Sequence, residues 1–186
     1  MFNLLRSIFF AIWDRIRAAR DPVGFARSLG VRVGNNVRFY GMSKAMFGSE
    51  PWMISIGNDC YITAGVQFIN HDGGTLILRK EEPTLEWTAP IEIGNDVYIG
   101  VRTIILPNVK IGNRCIVGAG SIVSKNIPDN SVYAGVPAKY ICSTDEYLLK
   151  MKAKSLACGH LHGEEKAERI KAIYKTKGWF DQSMEE

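Results

Sequence analysis

At 186 residues the chain has the size of one domain with a real core, and its 46% apolar content and mean hydropathy of −0.04 describe a soluble globular protein. The net charge of +4 is unevenly placed: residues 1–38 hold seven arginines against two acids, while residues 145–186 balance eight basic side chains against eight acidic ones, a pattern too local for a nucleic-acid binder. Cys60, Cys115, Cys142 and Cys158 show no CxxC spacing, which points to free thiols in a reducing compartment and away from a disulfide framework or zinc site.

The first element is an amphipathic helix over residues 2–17, with Leu5, Ile8, Phe9, Ile12, Trp13 and Ile16 along one face. Arg6 interrupts the apolar stretch and Asp14 follows, so the segment does not read as a signal peptide, and no apolar run approaches the roughly 20 residues of a membrane span. Two positions are open to its apolar face: docked on the end or side of the rest of the fold, or lying in a membrane interface beside the arginines. Asp21-Pro22 breaks the helix, with Pro22 suited to the first turn of a short second one.

A six-residue repeat follows. It begins faintly at Val33, recurs at Ile56 and runs on through Ile62 and Phe68. From Ile93 it is unbroken: Ile93, Ile99, Ile105, Ile111, Val117 and Val123. The second place of each hexad tends to be small, and the fifth is small or β-branched. Neither helical heptads nor alternating strands fit this period, whereas a parallel β-helix does, each turn burying its apolar row against its neighbours.

Three hexads make one triangular coil, so departures from the repeat can be counted. The spacing from Ile93 to Ile111 is one coil of 18 residues, and from Ile56 to Ile93 it is 37, which places an insertion of about 19 residues over 74–92. A smaller bulge is expected near Gly48–Pro51. Beyond residue 143 the composition becomes helical, with helices expected over 146–154 and 164–177. The organisation is thus a helical segment over 1–30, a parallel β-helix domain over 31–142 and a helical extension over 143–186.

Chemistry-bearing side chains are few. A neutral imidazole is a natural general base at neutral pH, and His71 lies at the lip of the insertion; the alternative is a polar corner residue bonded within the coil. His160 and His162 follow Cys158 closely, but no second cluster exists to complete a metal site. Thr84 to Trp87 are placed to form a lid or a stacking platform, with Trp52 a second candidate and plain aromatic packing the alternative for each.

The run from Ile93-Glu-Ile-Gly-Asn-Asp-Val-Tyr-Ile-Gly through Gly118-Ala-Gly-Ser-Ile-Val-Ser-Lys to Ala134-Gly-Val-Pro-Ala-Lys resembles the hexapeptide-repeat acyltransferases, in particular sugar O-acetyltransferases of the maltose, galactoside and nodulation-factor type. The resemblance covers about residues 33–141. It implies a mainly-β, left-handed parallel β-helix, an exception to the right-handed crossover rule. It implies acetyl-CoA as acyl donor, no metal, and a homotrimer with active sites between subunits. His71 falls on the family's general base, and Val101 on the backbone amide that faces the oxyanion. Tyr98 matches an active-site aromatic. Gly118, Ala119 and Gly120 would border the pantetheine, with Ser124, Lys125 and Lys139 toward the phosphates; both lysines otherwise read as solvated surface charge.

Asp72, next to His71, would orient the ring or bind a sugar hydroxyl, or is simply a turn residue. An acceptor-orienting asparagine has no equivalent in residues 39–47, and the usual small N-terminal helical motif is missing, which leaves the acceptor open. The expected function is acetyl transfer to a sugar hydroxyl of a surface polysaccharide or glycolipid precursor, in the cytoplasm or at the inner face of the membrane, with residues 2–17 as a peripheral membrane contact. The rivals are an antibiotic or amino-sugar acetyltransferase and, in another class, a noncatalytic β-helix scaffold.

Overall fold

A computed structural model describes the backbone of residues 2–179, and side chains throughout that range except those of 2–8, 10 and 11, so Leu5 and Ile8 of the expected helical face, and Arg6 between them, lie outside the described side chains. The chain forms two compact units, residues 1–145 and 146–186.

Short parallel strands stack into three walls. The first pairs Arg32–Val33, Ile54–Ile56, Ile91–Ile93 and Lys110–Ile111 in that order. The second runs Arg38–Phe39, Tyr61–Ile62, Tyr98–Ile99, Ile116–Val117 and Ser131–Ala134, closed by the antiparallel Lys139–Ser143. The third holds Gln67–Phe68, Ile104–Ile105 and Ile122–Val123. Hexad residues Ile56, Ile62, Phe68, Ile93, Ile99, Ile105, Ile111, Val117 and Val123 all point inward and are buried, so each turn closes its apolar row on the next. The coil of 18 residues and the step of 37 across the insertion are both visible in bonds between corresponding corners.

The corners explain the polar half of the repeat. Asp59, Asp96 and Arg114, one per turn, sit in the left-handed region at φ 54–57°. Beside them the backbone N–H groups of Asn35, Asn58 and Asn95 donate to the side-chain carbonyls of Asn58, Asn95 and Asn113 at 2.8–2.9 Å. Asp129 ends this ladder, accepting the N–H of Asn113 at 2.7 Å. The Asn113 N–H, reinforced by the Asn113 side-chain amide, holds the Asp129 carboxyl below the usual carboxylate range. At the next corner Gly100 is obligatory, because a Cβ there would lie 2.4 Å from the Ala119 nitrogen. Cys60 and Cys115 are free and buried in the fifth places of their hexads, and burial pushes both thiols up from their ordinary range.

The N-terminal segment belongs to the first compact unit. Helix α1 (Phe2–Arg20) leads into α2 (Pro22–Ser28), whose N-cap Asp21 accepts the Gly24 N–H at 2.8 Å, with Pro22 in the first turn as expected. Phe25 and Ala26 of α2 are buried, and Ala26 belongs to the core at the first turn of the coil. Apart from Ala18, which is buried, the described apolar side chains of α1 do not dock on the coil: Phe9, Ile12, Trp13 and Ile16 are exposed.

The insertion leaves the coil earlier than the repeat suggests. His71 bridges Thr88 in antiparallel fashion, the Ala89 N–H donates to Asn70 O at 2.7 Å, and the Asp72 N–H donates to Trp87 O at 3.0 Å. The loop therefore closes at residues 88–89, not 92, because Ile91–Ile93 already forms wall. Its short helix α3 (Thr75–Leu78) presents Leu76, Ile77 and Leu78 outward. The smaller bulge consists of two 3-10 turns, Lys44–Phe47 and Pro51–Met53. In the second unit, α4 (Thr144–Lys154) crosses the boundary and α5 (Gly163–Thr176) follows, close to the expected helices.

Candidate active site

His71 stands where the loop departs from the third wall. Its Nδ1 lies 2.8 Å from Oε2 of Glu50, a residue of the bulge in the preceding turn. A carboxylate only accepts, so Nδ1 carries a proton here; in the neutral ring that leaves the lone pair on Nε2, the tautomer a general base requires. The side chains are only about one-third and one-fifth exposed, at 36% and 22%, so the pair is partly shielded from water.

Glu50 is the residue that sequence reasoning missed. Its signal was a spacing: Glu50 and His71 are 21 residues apart, as are Phe47 and Phe68, whose rings stack at 5.7 Å in the core just before the loop. These two contacts thus span a coil plus three residues, whereas the strand pairs of that turn stand 23 residues apart.

Two clefts flank the imidazole. One, of about 370 Å³, is walled by Ile69, Leu106, Pro107 and Trp87, with Asp72 and Ser124 at its polar side. The other, of about 190 Å³, is polar, with Ser49, Glu50, Thr75, Arg79 and Glu86 in its lining. Arg79 spans the loop, pairing with Glu86 and donating from Nε to Leu85 O at 2.9 Å, and so holds the second cleft's outer rim.

The structure brings His71, Asp72, Trp87 and Ser124 together in the first cleft. Asp72 does not orient the ring: its Oδ1 accepts the Gly74 N–H at 2.8 Å as a turn residue, and Glu50 holds Nδ1 instead. Trp87 is half-exposed, as a stacking platform requires, whereas Trp52 lies beside Gly30 and lines neither cleft.

Tyr98, Val101, Gly118, Ala119 and Gly120 sit elsewhere on the coil, on the second wall and the corner that joins it to the third. Neither cleft of His71 includes them within one chain. At that corner the Val101 carbonyl accepts the Gly120 N–H at 2.8 Å, while the Val101 N–H bonds no backbone carbonyl among the described residues. Lys125 follows Ser124, and Lys139 opens the closing antiparallel strand; both are exposed. No group of three or more metal-ligating side chains occurs among the described residues, His160 and His162 included.

A parallel β-helix of hexads with a histidine at the mouth of its one long loop defines a class, and comparison with known proteins agrees. The family described as "Bacterial transferase hexapeptide (six repeats)" matches residues 90–125. Protein CapG of Staphylococcus aureus is 51% identical over 147 residues, 79% of this chain and 83% of that protein. Galactoside O-acetyltransferase of Escherichia coli is 35% identical over 145 residues, 75% of this chain and 66% of that protein. Among solved structures, a hexapeptide-repeat-containing acetyltransferase from Vibrio cholerae aligns at a TM-score of 0.51 with 25% identity, covering 64% of this chain and 77% of that one. The chain belongs to the hexapeptide-repeat transferases, and it is an acyltransferase.

Proposed function

We propose that the enzyme transfers an acetyl group from acetyl-CoA to a hydroxyl of a sugar, in a surface polysaccharide or glycolipid precursor, with His71 as general base. The His71–Glu50 pair carries this reading. With Nδ1 donating to Glu50, Nε2 takes the proton of the acceptor hydroxyl as its oxygen attacks the thioester carbonyl. Glu50 holds the ring in that tautomer and stabilises the imidazolium that forms. The proton then passes from His71 to the departing thiolate of CoA.

The donor supplies an activated acetyl thioester, and the residues present fit it. The larger cleft has an apolar wall of Ile69, Leu106 and Pro107 suited to a pantetheine arm. The Val101 N–H, uncommitted to any backbone carbonyl, suits the oxyanion. Because Val101, Tyr98 and Gly118 to Gly120 lie on a corner away from His71, the site is complete only if His71 of one copy meets that corner of the next. A homotrimer, with Leu76 to Leu78 of the loop covered by an adjacent copy, meets this need. Left-handed winding of the coil goes with the family.

On the acceptor side, the polar cleft of Ser49, Thr75 and Arg79 beside Trp87 suits a polyhydroxylated ring, whose apolar face stacks on indole while its hydroxyls meet polar groups. The galactoside acceptor in the name of the Escherichia coli relative supports a sugar here too. Lys125 and Lys139 remain the candidates for the CoA phosphates, and Asp72 for a sugar hydroxyl.

Replacing His71 by Ala tests the mechanism. Release of free CoA in the presence of a sugar acceptor, followed with a thiol-reactive dye, should fall by about 10²–10⁴-fold with the circular dichroism spectrum unchanged. Turnover close to that of the parent protein would sink the assignment.

A further inference from the structure

We infer that the exposed face of α1 docks the protein on a bilayer surface bearing anionic phospholipids. At α-helical pitch, Phe9, Ile12, Trp13 and Ile16 fall on one side of the helix and Ala18 on the other. Ala18 is buried, while Ile12 and Trp13 are about half exposed, at 52% and 51%. The side opposite the stripe is thus packed at Ala18, while Trp13 and Ile16 edge a cleft against α2 and, with Ile12, keep much of their surface open.

Charge decides what covers it. Arg15 flanks the stripe on one side and Arg17 on the other, and residues 1–38 hold seven arginines against two acids. Two copies meeting through this face would bring like-charged rows together, whereas a sheet of lipid phosphates complements them. At the junction of α1 and α2 a cleft of about 260 Å³ is lined by Trp13, Ile16, Arg17 and Arg20. Arg17 is braced there, 5.6 Å over the Phe25 ring and bonded to Ser28 Oγ at 3.1 Å, and the one acid in the lining, Asp21, is engaged with the Gly24 N–H. The cleft thus offers guanidinium groups to a phosphate, with the indole at the depth of the headgroups and Ile12 and Ile16 reaching the acyl boundary.

The helix lies on the membrane and does not cross it: among the described residues no helix is long and apolar enough to span. This inference does not depend on the acetyl-transfer reading, since it rests on a surface remote from His71.

Flotation of the full chain with vesicles tests it. The protein should float with vesicles of phosphatidylcholine and phosphatidylglycerol, and not with phosphatidylcholine alone. Trp13→Glu should lower the partition coefficient by about tenfold or more, in keeping with the burial energy of one large apolar side chain. Arg15→Glu should lower it less and weaken its dependence on salt. Both substitutions are on exposed positions, and thioester turnover with a soluble acceptor should stay at the parent level. Absence of flotation with the anionic vesicles, or a Trp13→Glu protein that floats like the parent, would overturn the proposal. So would a change in sedimenting mass on Trp13→Glu, which would assign the stripe to a protein partner.

Discussion

Along one corner of the coil, Asn58, Asn95 and Asn113 repeat the same two bonds turn after turn, and every hexad side chain below them is buried. Along the edge that carries His71 nothing repeats: a bulge, a loop and the pair of His71 with Glu50 meet there once. The first region is stabilised by identical contacts summed over turns, so that each turn supports the next. The second gains its properties from departures, because only a departure can place a carboxylate from one turn against an imidazole from the next. With His71 as the proposed base, stability would reside in the repeat and reactivity in its interruptions, and substitutions should separate the two.

The largest effect should come from the repeat. Gly100→Ala puts a Cβ 2.4 Å from a backbone nitrogen of the next turn, where no side-chain rotation can relieve it. A loss of about 3 kcal/mol or more is expected, readable as a lower urea midpoint. An unchanged midpoint would mean that the turns are less tightly stacked than the structure shows. Glu50→Ala should do the opposite, leaving the midpoint in place while reducing kcat by about ten- to a hundredfold, a part of what a general base supplies. Glu50→Gln, which still accepts the Nδ1–H through its amide oxygen, should recover part of that loss. Equal activity in Ala and Gln variants would remove ring positioning from the role of Glu50.

The same contrast governs how much of the molecule is legible in the amino-acid sequence alone. The walls are legible because Ile93 to Val123 state the period outright, and the 37-residue step from Ile56 to Ile93 locates a loop next to His71. The loop's end is not legible. A repeat counts how many residues are inserted but not where the chain leaves and rejoins, and Ile91-Glu92-Ile93 continues the wall by an alternation of two that the six-residue count ignores. Glu50 escapes for a related reason: it lies in the bulge, where its contact with His71 spans 21 residues and not 18. The apolar side of α1 is plain from its spacing, yet only the structure shows that Ile12 and Trp13 stay about half exposed while Ala18 opposite them is buried.

A smaller effect is expected from the asparagine ladder itself. Asn95 accepts both the N–H and the side-chain amide of Asn58, at 2.8 and 3.1 Å, and donates to Asn113 at 2.9 Å. Its surroundings are exposed, so water replaces much of what Asn95→Ala removes, and the cost should be about 1 kcal/mol in chemical denaturation. A cost near that of Gly100→Ala would show that the ladder, and not close stacking of the backbone, sets the stability of the coil.

The end of the ladder should give the smallest change, visible only in acid. Asp129 replaces the asparagine of the earlier turns, and bonds from Asn113 favour its ionised form. The folded protein therefore holds this proton less firmly than the unfolded chain does. The stabilisation is complete above the ordinary carboxylate range, near pH 4, and is lost as pH falls through the lower value of the folded state. Asp129→Asn keeps an oxygen for the Asn113 N–H but cannot ionise. The two proteins should differ little in urea midpoint at neutral pH, the parent slightly ahead, and the difference should shrink below about pH 4 as the parent alone loses its advantage. A difference that stayed constant through that range would show that the terminal carboxylate contributes as a hydrogen-bond acceptor only, as the asparagines of the other turns do.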